Sequence, residues 1–131
     1  DTAKKLIERL EQEAVRRGQR AVIAVCNPEG NPVAVHVMDG AFLVSFDVAM
    51  KKAYTAVAVK MSTMELSTIA QPGGTFYGVD KLDGGKIVIF GGGIPLKSGN
   101  TIIGGLGISG GTGEEDHSLA EYGQSVLNEI L

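Results

Sequence analysis

Between Gly91 and Gly113 the chain places ten glycines in 23 residues, in the run FGGGIPLKSGNTIIGGLGISGGTG. A segment so poor in side chains restricts the fold more than any other stretch. A phosphate-cradling loop needs Lys-Ser/Thr directly after its last glycine, whereas Gly93 is followed by Ile-Pro-Leu. Gly105, Gly107 and Gly110 have the G-x-G-x-x-G spacing of a dinucleotide site. The chain ends, however, before a βαβ unit with its acidic ribose partner can be completed. A flexible linker is excluded by Ile102, Ile103, Leu106 and Ile108, core residues interleaved with the glycines. What remains is glycine within strands, which marks bulges or close approach of another backbone or a ligand. Gly104, Gly105 and Gly107 strip both faces of one strand. The flat patch they leave can accept a helix, a partner subunit or a planar ligand.

A length of 131 residues fits one domain, here taken as residues 1–131. The 44% hydrophobic content permits a true core, but with no Trp and only 5% aromatics that core is built from small aliphatics. A net charge of −3 argues against a nucleic-acid partner. No apolar run approaches membrane-span length, which argues against a membrane partner. No charged-then-apolar leader opens the chain, although a start at Asp1 leaves room for a removed leader or upstream domain. The lone Cys26 cannot form an internal disulfide and fits a reducing, cytoplasmic compartment.

Periodicity supplies the elements. Leu6, Ile7, Leu10 and Ala14 mark one face of a first helix capped by Asp1 or Thr2 and ended by Gly18. Ala21–Cys26 and Val33–Met38 read as strands joined by the turn NPEGNP. Val33, Val35 and Val37 share one face of the second strand; Ala34, His36 and Met38 share the other. A helix starting at Ser45 or Asp47 runs to about Lys60, with Val48, Ala49, Ala53, Ala56 and Val57 facing inward. A short helix follows, with Ser62 and Glu65 spaced as a capping box, and Pro72 stops it. The loop QPGGTFYGVDKLDGG is long for a compact domain, a length that often serves function. KIVIF, IPLK and TIIGGLGIS read as three further strands, the last two joined at Ser98-Gly99-Asn100. A final helix begins at Thr112, with Glu115 completing a second box and Leu119, Tyr122, Val126, Leu127 and Ile130 as its stripe. The order is α-β-β-α-(α)-β-β-β-α, an α+β fold with a five-stranded antiparallel sheet flanked by helices.

The segments VMDGAF, FDVAMKKAYTA, QPGGTFYGV and KIVIFGGGIPLKSGNTIIGGLGISGGTGEEDHSLAEYG cover nearly the whole chain. They resemble the GlcG/HbpS-like family, also met as the C-terminal domain of PduO-type adenosyltransferases. The resemblance implies a profilin-like fold and a homo-oligomer, a dimer or larger. It implies an accessory role in catabolic or microcompartment pathways, with haem, a corrinoid or another small metabolite as ligand. The cofactor is left open, with haem as one candidate. PduO-type members that bind haem use a histidine near the first helix, and this chain has none before His36.

The resemblance also puts Asp39, Asp47, Lys51, Tyr77, Gly91, Gly92, Gly93, Ser109, Gly110 and Gly111 on family motifs. They are expected to line one cleft between the central helix, the PGGTFYG loop and the glycine-rich strands. The alternative is that the glycines serve turns and packing while Asp47 caps its helix. His36 could ligate haem iron or a metal, with Met38, Tyr77 and Cys26 as substitute ligands; the plainer reading is a half-exposed strand histidine. Asp116 and His117 follow Glu114 and Glu115 and could hold a metal loosely, although carboxylates in a first helical turn are expected from the dipole alone. Lys51 with Asp47, or else His36, would act as acid and base if the chain is an enzyme acting on haem or a small hydroxy acid. A purely structural interaction domain is the third reading. No C-x-x-C or H-E-x-x-H is present.

Overall fold

The computed structural model describes residues 1–131. It contains α1 (Thr2–Arg17), β1 (Val22–Cys26), β2 (Pro32–Val37), α2 (Ser45–Val59), α3 (Thr63–Ile69), β3 (Gly93–Ser98), β4 (Thr101–Ser109) and α4 (Gly113–Ile130). The strands form one antiparallel sheet in the order β2-β1-β4-β3. Gly18 closes α1 in the left-handed conformation, its N–H bonding back to the helix. Thr112 and Glu115 form a reciprocal capping box at the start of α4. At α3 only half of the box is made: Ser62 accepts from the Glu65 N–H.

The sheet has four strands, not five. KIVIF contributes no strand. Ile87 and Val88 are buried, yet the Val88 N–H donates to Thr55 Oγ1 on α2 at 3.0 Å rather than to a neighbouring strand. A β-branched apolar run is read as a strand from its side chains, but its backbone is satisfied here by a helix side chain. The chain then turns through Gly92, at φ 130°, and β3 begins at Gly93.

Alternation sorts the sheet into two faces. Ile23, Val25, Leu106, Ile108, Ile94 and Leu96 meet Leu6 and Leu10 of α1 and Leu119 and Leu127 of α4 in the main core. Val22 and Ala24 meet Ala49 of α2 in a much smaller cluster on the opposite face. There the strand glycines find their use. A Cβ on Gly107 would lie 1.9 Å from the Ala49 carbonyl oxygen, and one on Gly105 2.4 Å from that of Ala53. The flat glycine patch is covered by the chain's own helix α2, lying backbone to backbone on β4.

Candidate functional site

Where α2 passes the end of β1, a cleft of about 520 Å³ opens. Its floor is apolar: Ala24 and Cys26 from β1, Met50 and Ala53 from α2. The β1–β2 turn forms one wall. Asn27 Oδ1 accepts from the N–H groups of Glu29 at 3.1 Å and Asn31 at 3.0 Å, which fixes that turn. Gly30 adopts φ 87°, and a Cβ there would meet the Tyr54 ring at 2.8 Å, so glycine lets the tyrosine lie against the turn. Lys51, one helical turn after Asp47, pairs with it at 3.0 Å, and both line the mouth. On the far wall the Tyr54 hydroxyl donates to the Asp83 carboxylate, and this bond raises the phenol above its ordinary range. Lys86 Nζ stands 5.2 Å from the centre of the Tyr54 ring. Burial pushes the Cys26 thiol up as well, keeping it protonated at neutral pH. A volume of this size, with an apolar floor and a few polar groups at the rim, matches sites for small molecules.

The family-motif residues do not gather in this one cleft. Asp47 and Lys51 line it. Gly92, Ser109, Gly110 and Gly111 meet around a buried ion pair instead. Lys52 Nζ lies 3.1 Å from Asp116 Oδ2 and donates to the Ile108 carbonyl at 2.8 Å; both side chains are almost wholly buried. Asp116 also accepts from the N–H groups of Gly110 at 3.3 Å and Gly111 at 2.9 Å, tying the exit of β4 to α4. A Cβ on Gly92 would sit 2.7 Å from Lys52 Nζ, and one on Gly93 2.4 Å from the Lys52 carbonyl oxygen. Gly91 fits equally tightly against the Gly113 carbonyl.

His36 points to the α1 side of the sheet, with Nε2 3.1 Å from Glu11 Oε2. Met38 is buried in the main core, its sulfur accepting from the Ala21 N–H at 3.5 Å. Asp39 is exposed, its carbonyl bonded to Arg20. Tyr77 is exposed on the long loop. The acidic start of α4 diverges: Glu115 serves the cap, Asp116 turns inward, and His117 Nε2 faces Glu121 at 3.3 Å. No group of three or more His, Cys, Asp or Glu side chains comes together in a metal-binding arrangement.

Sequence reasoning missed Lys52, Tyr54 and Lys86. For Lys52 a signal existed, because position 52 falls on the same helical face as Ala49, Ala53 and Ala56. The twin lysines at 51 and 52 hide the fact that one is buried and the other solvated.

A family model described as haem degrading protein HbpS-like matches residues 1–125. An uncharacterized 15.0 kDa protein of the dhaT-dhaS intergenic region of Citrobacter freundii is 38% identical over 98% of this chain and 90% of that protein. The corrinoid adenosyltransferase PduO of Salmonella typhimurium is 40% identical over 93% of this chain, which spans only 38% of PduO's length. A crystal structure of a PduOC–haem complex superposes with a TM-score of 0.92 at 38% identity, covering 97% of this chain and 92% of that one.

Proposed function

The chain belongs to the HbpS-like family, and from that premise we propose that it is a homo-oligomeric, ligand-binding accessory domain whose ligand is haem. The observation that carries this reading is its likeness, over almost its whole length, to a domain crystallised with haem. The likeness to PduO extends the reading to a cytoplasmic setting beside a corrinoid-dependent or microcompartment pathway. No helix of the chain is long and apolar enough to cross a membrane.

The α2 cleft suits such a ligand in three respects. Its floor of Ala24, Met50 and Ala53 accepts a flat apolar ring. Lys51 and Lys86 at the rim can pair with propionate carboxylates. Its two sulfur side chains, Cys26 and Met50, are iron-ligating types. Because burial keeps the Cys26 thiol protonated, the Met50 thioether is the donor available at neutral pH. Neither histidine lines this cleft. Haem iron, when bound, supplies ligand-exchange and one-electron chemistry. The chain's own residues orient the macrocycle, neutralise its carboxylates and exclude water from one face.

A haem titration followed by absorbance tests the reading, with Met50→Ala, Lys51→Ala and His36→Ala beside the parent chain. A stoichiometric Soret band that is shifted or lost in Met50→Ala and kept in His36→Ala assigns haem to the α2 cleft. Loss in His36→Ala alone moves the ligand to the α1 side of β2. Absence of a specific band in the parent chain overturns haem as the ligand.

A further inference from the structure

The two edges of the sheet are treated in opposite ways. At β3, Pro95 offers no N–H, and Gln124 of α4 reaches over to close Lys97, two residues on. Its Oε1 accepts from the Lys97 N–H at 2.8 Å, and its Nε2 donates to the Lys97 carbonyl at 3.0 Å. Proline, lysine and a covering side chain are the usual means of blunting an edge. At β2, the other edge, the outer side pairs with no strand, and the sequence PVAVHV carries no lysine, carboxylate or mid-strand proline.

Next to this open edge lies an apolar surface. Val33 and Val37 are about half exposed on β2. After the bend at Asp39-Gly40 the chain presents Phe42, Leu43, Val44 and Phe46, from 47% exposed at Phe46 to 96% at Leu43. Four large apolar side chains within five residues of exposed surface are not needed for folding, since none joins either core cluster. With the two valines they expose on the order of 700 Å² of apolar side chain, close to the ~800 Å² that each partner contributes to a standard interface. Monomers rarely leave so large a contiguous patch open to water.

We propose that a second copy of this chain covers this face, through a two-fold contact that brings the Phe42–Phe46 segments together beside antiparallel β2 edges. An unpaired strand edge is self-complementary under a two-fold axis, and a face used twice closes into a finite assembly rather than a filament. The choice of a second copy over a different protein rests on that self-complementarity and on the match of area. The proposal rests on the reading of the chain as a homo-oligomer and names the surface that makes it so.

Light scattering coupled to size exclusion tests it on the full chain, comparing the parent with Leu43→Glu, Val33→Lys and Val15→Glu. Leu43 and Val33 are exposed, so both changes leave the fold intact, as far-UV circular dichroism will verify. Val15 is also exposed and lies on α1, outside both the β2 strand and the Phe42–Phe46 segment, and serves as the control. The expected result is a parent mass of two or more chains. Each patch variant should fall to half that mass or less, or dissociate at least tenfold more readily, while Val15→Glu stays unchanged. An oligomeric parent whose mass neither patch variant alters overturns this face while leaving self-association standing. A parent that remains monomeric at high concentration overturns both.

Discussion

Lys52 and Asp116 show how much one pair of residues can organise. Burial alone holds the Lys52 ammonium below its ordinary range, and Asp116 opposes that effect. Through its carboxylate the pair also satisfies the Gly110 and Gly111 amides, so four segments meet at one charge. Breaking a buried pair leaves an uncompensated charge and costs about 3–5 kcal/mol. Asp116→Ala should therefore lose about that much stability by urea unfolding, whereas Lys52→Met with Asp116→Ala should lose less than the sum of the single changes; strict additivity would show that the pair is not coupled. In Asp116→Asn, Lys52 loses its counter-charge and its folded pKa drops further below the ordinary lysine range. A depressed lysine contributes stability above the unfolded pKa that is lost as pH falls through the folded one. The defect of Asp116→Asn should accordingly shrink as pH is raised from 7 toward 10, and a pH-independent defect would exclude this account. Glu13 has the sign that belongs to a carboxylate. Hydrogen bonds from Arg16 and Arg17 hold it at about 2. Its contribution is complete above the ordinary carboxylate range and is lost as pH falls from about 4.5 to about 2. Thermal melts of Glu13→Gln should show a shallower acid decline than the parent. The Glu13 partnerships have the i,i+3 and i,i+4 spacing of one helix face, but the Lys52–Asp116 pair was not legible in the sequence, because spacing gives the face of a helix and not the carboxylate that waits across it.

At the scale of elements, the glycines divide into two kinds that the sequence writes with the same letter. Gly99 turns the β3–β4 hairpin at φ 61° with nothing within 4 Å of its would-be Cβ. Gly107 is extended, but its would-be Cβ collides with the Ala49 carbonyl oxygen at 1.9 Å and the Ala53 amide nitrogen at 2.7 Å. Gly99→Ala should cost only the left-handed penalty of about 1–2 kcal/mol. Gly107→Ala must push α2 off the sheet and should cost roughly 3 kcal/mol or more, or prevent folding. Equal losses in the two variants would contradict the direct seating of α2 on β4. The helices, the two hairpins, the α4 capping box and the alternation along β2 were all readable, because local periodicity and turn chemistry dictate them. The absent fifth strand was not readable, since Lys86–Phe90 has strand-like side chains and its backbone partner, Thr55, lies 33 residues from Val88. The candidate cleft was readable only at Asp47, Lys51 and Cys26. Its other walls come from Tyr54 and Lys86, whose approach depends on the course of the long loop.

For the whole molecule, the two faces of the sheet are held by different means. Sixteen buried residues form the apolar cluster that joins α1 and α4 to one face, whereas the cluster under α2 has three, all valine or alanine, and the other apolar residues that α2 itself buries are Ala53 and Ala56. The α2 layer is thus held by backbone contact over glycine and by the Lys52–Asp116 pair rather than by bulky side chains. Elements with few buried apolar contacts open at lower free energy than the global unfolding. Cys26 is placed to report such opening: its sulfur lies beside Gly105 on the α2 side of the sheet, the residue is 4% exposed, and it is the chain's single cysteine and part of the cleft floor. Burial raises its pKa, so both access and thiolate fraction limit its reaction in the closed state. Labelling with an aromatic disulfide reagent at neutral pH should therefore be far slower than for the urea-unfolded chain. It should accelerate markedly in Asp116→Asn, which loosens the α2 layer, and remain unchanged in Val15→Glu, which alters only the exposed side of α1. Haem seated on the cleft floor should slow it again. If the parent chain instead labelled at the unfolded rate, α2 would not be the closed lid over the sheet that its contacts with Gly105 and Gly107 require.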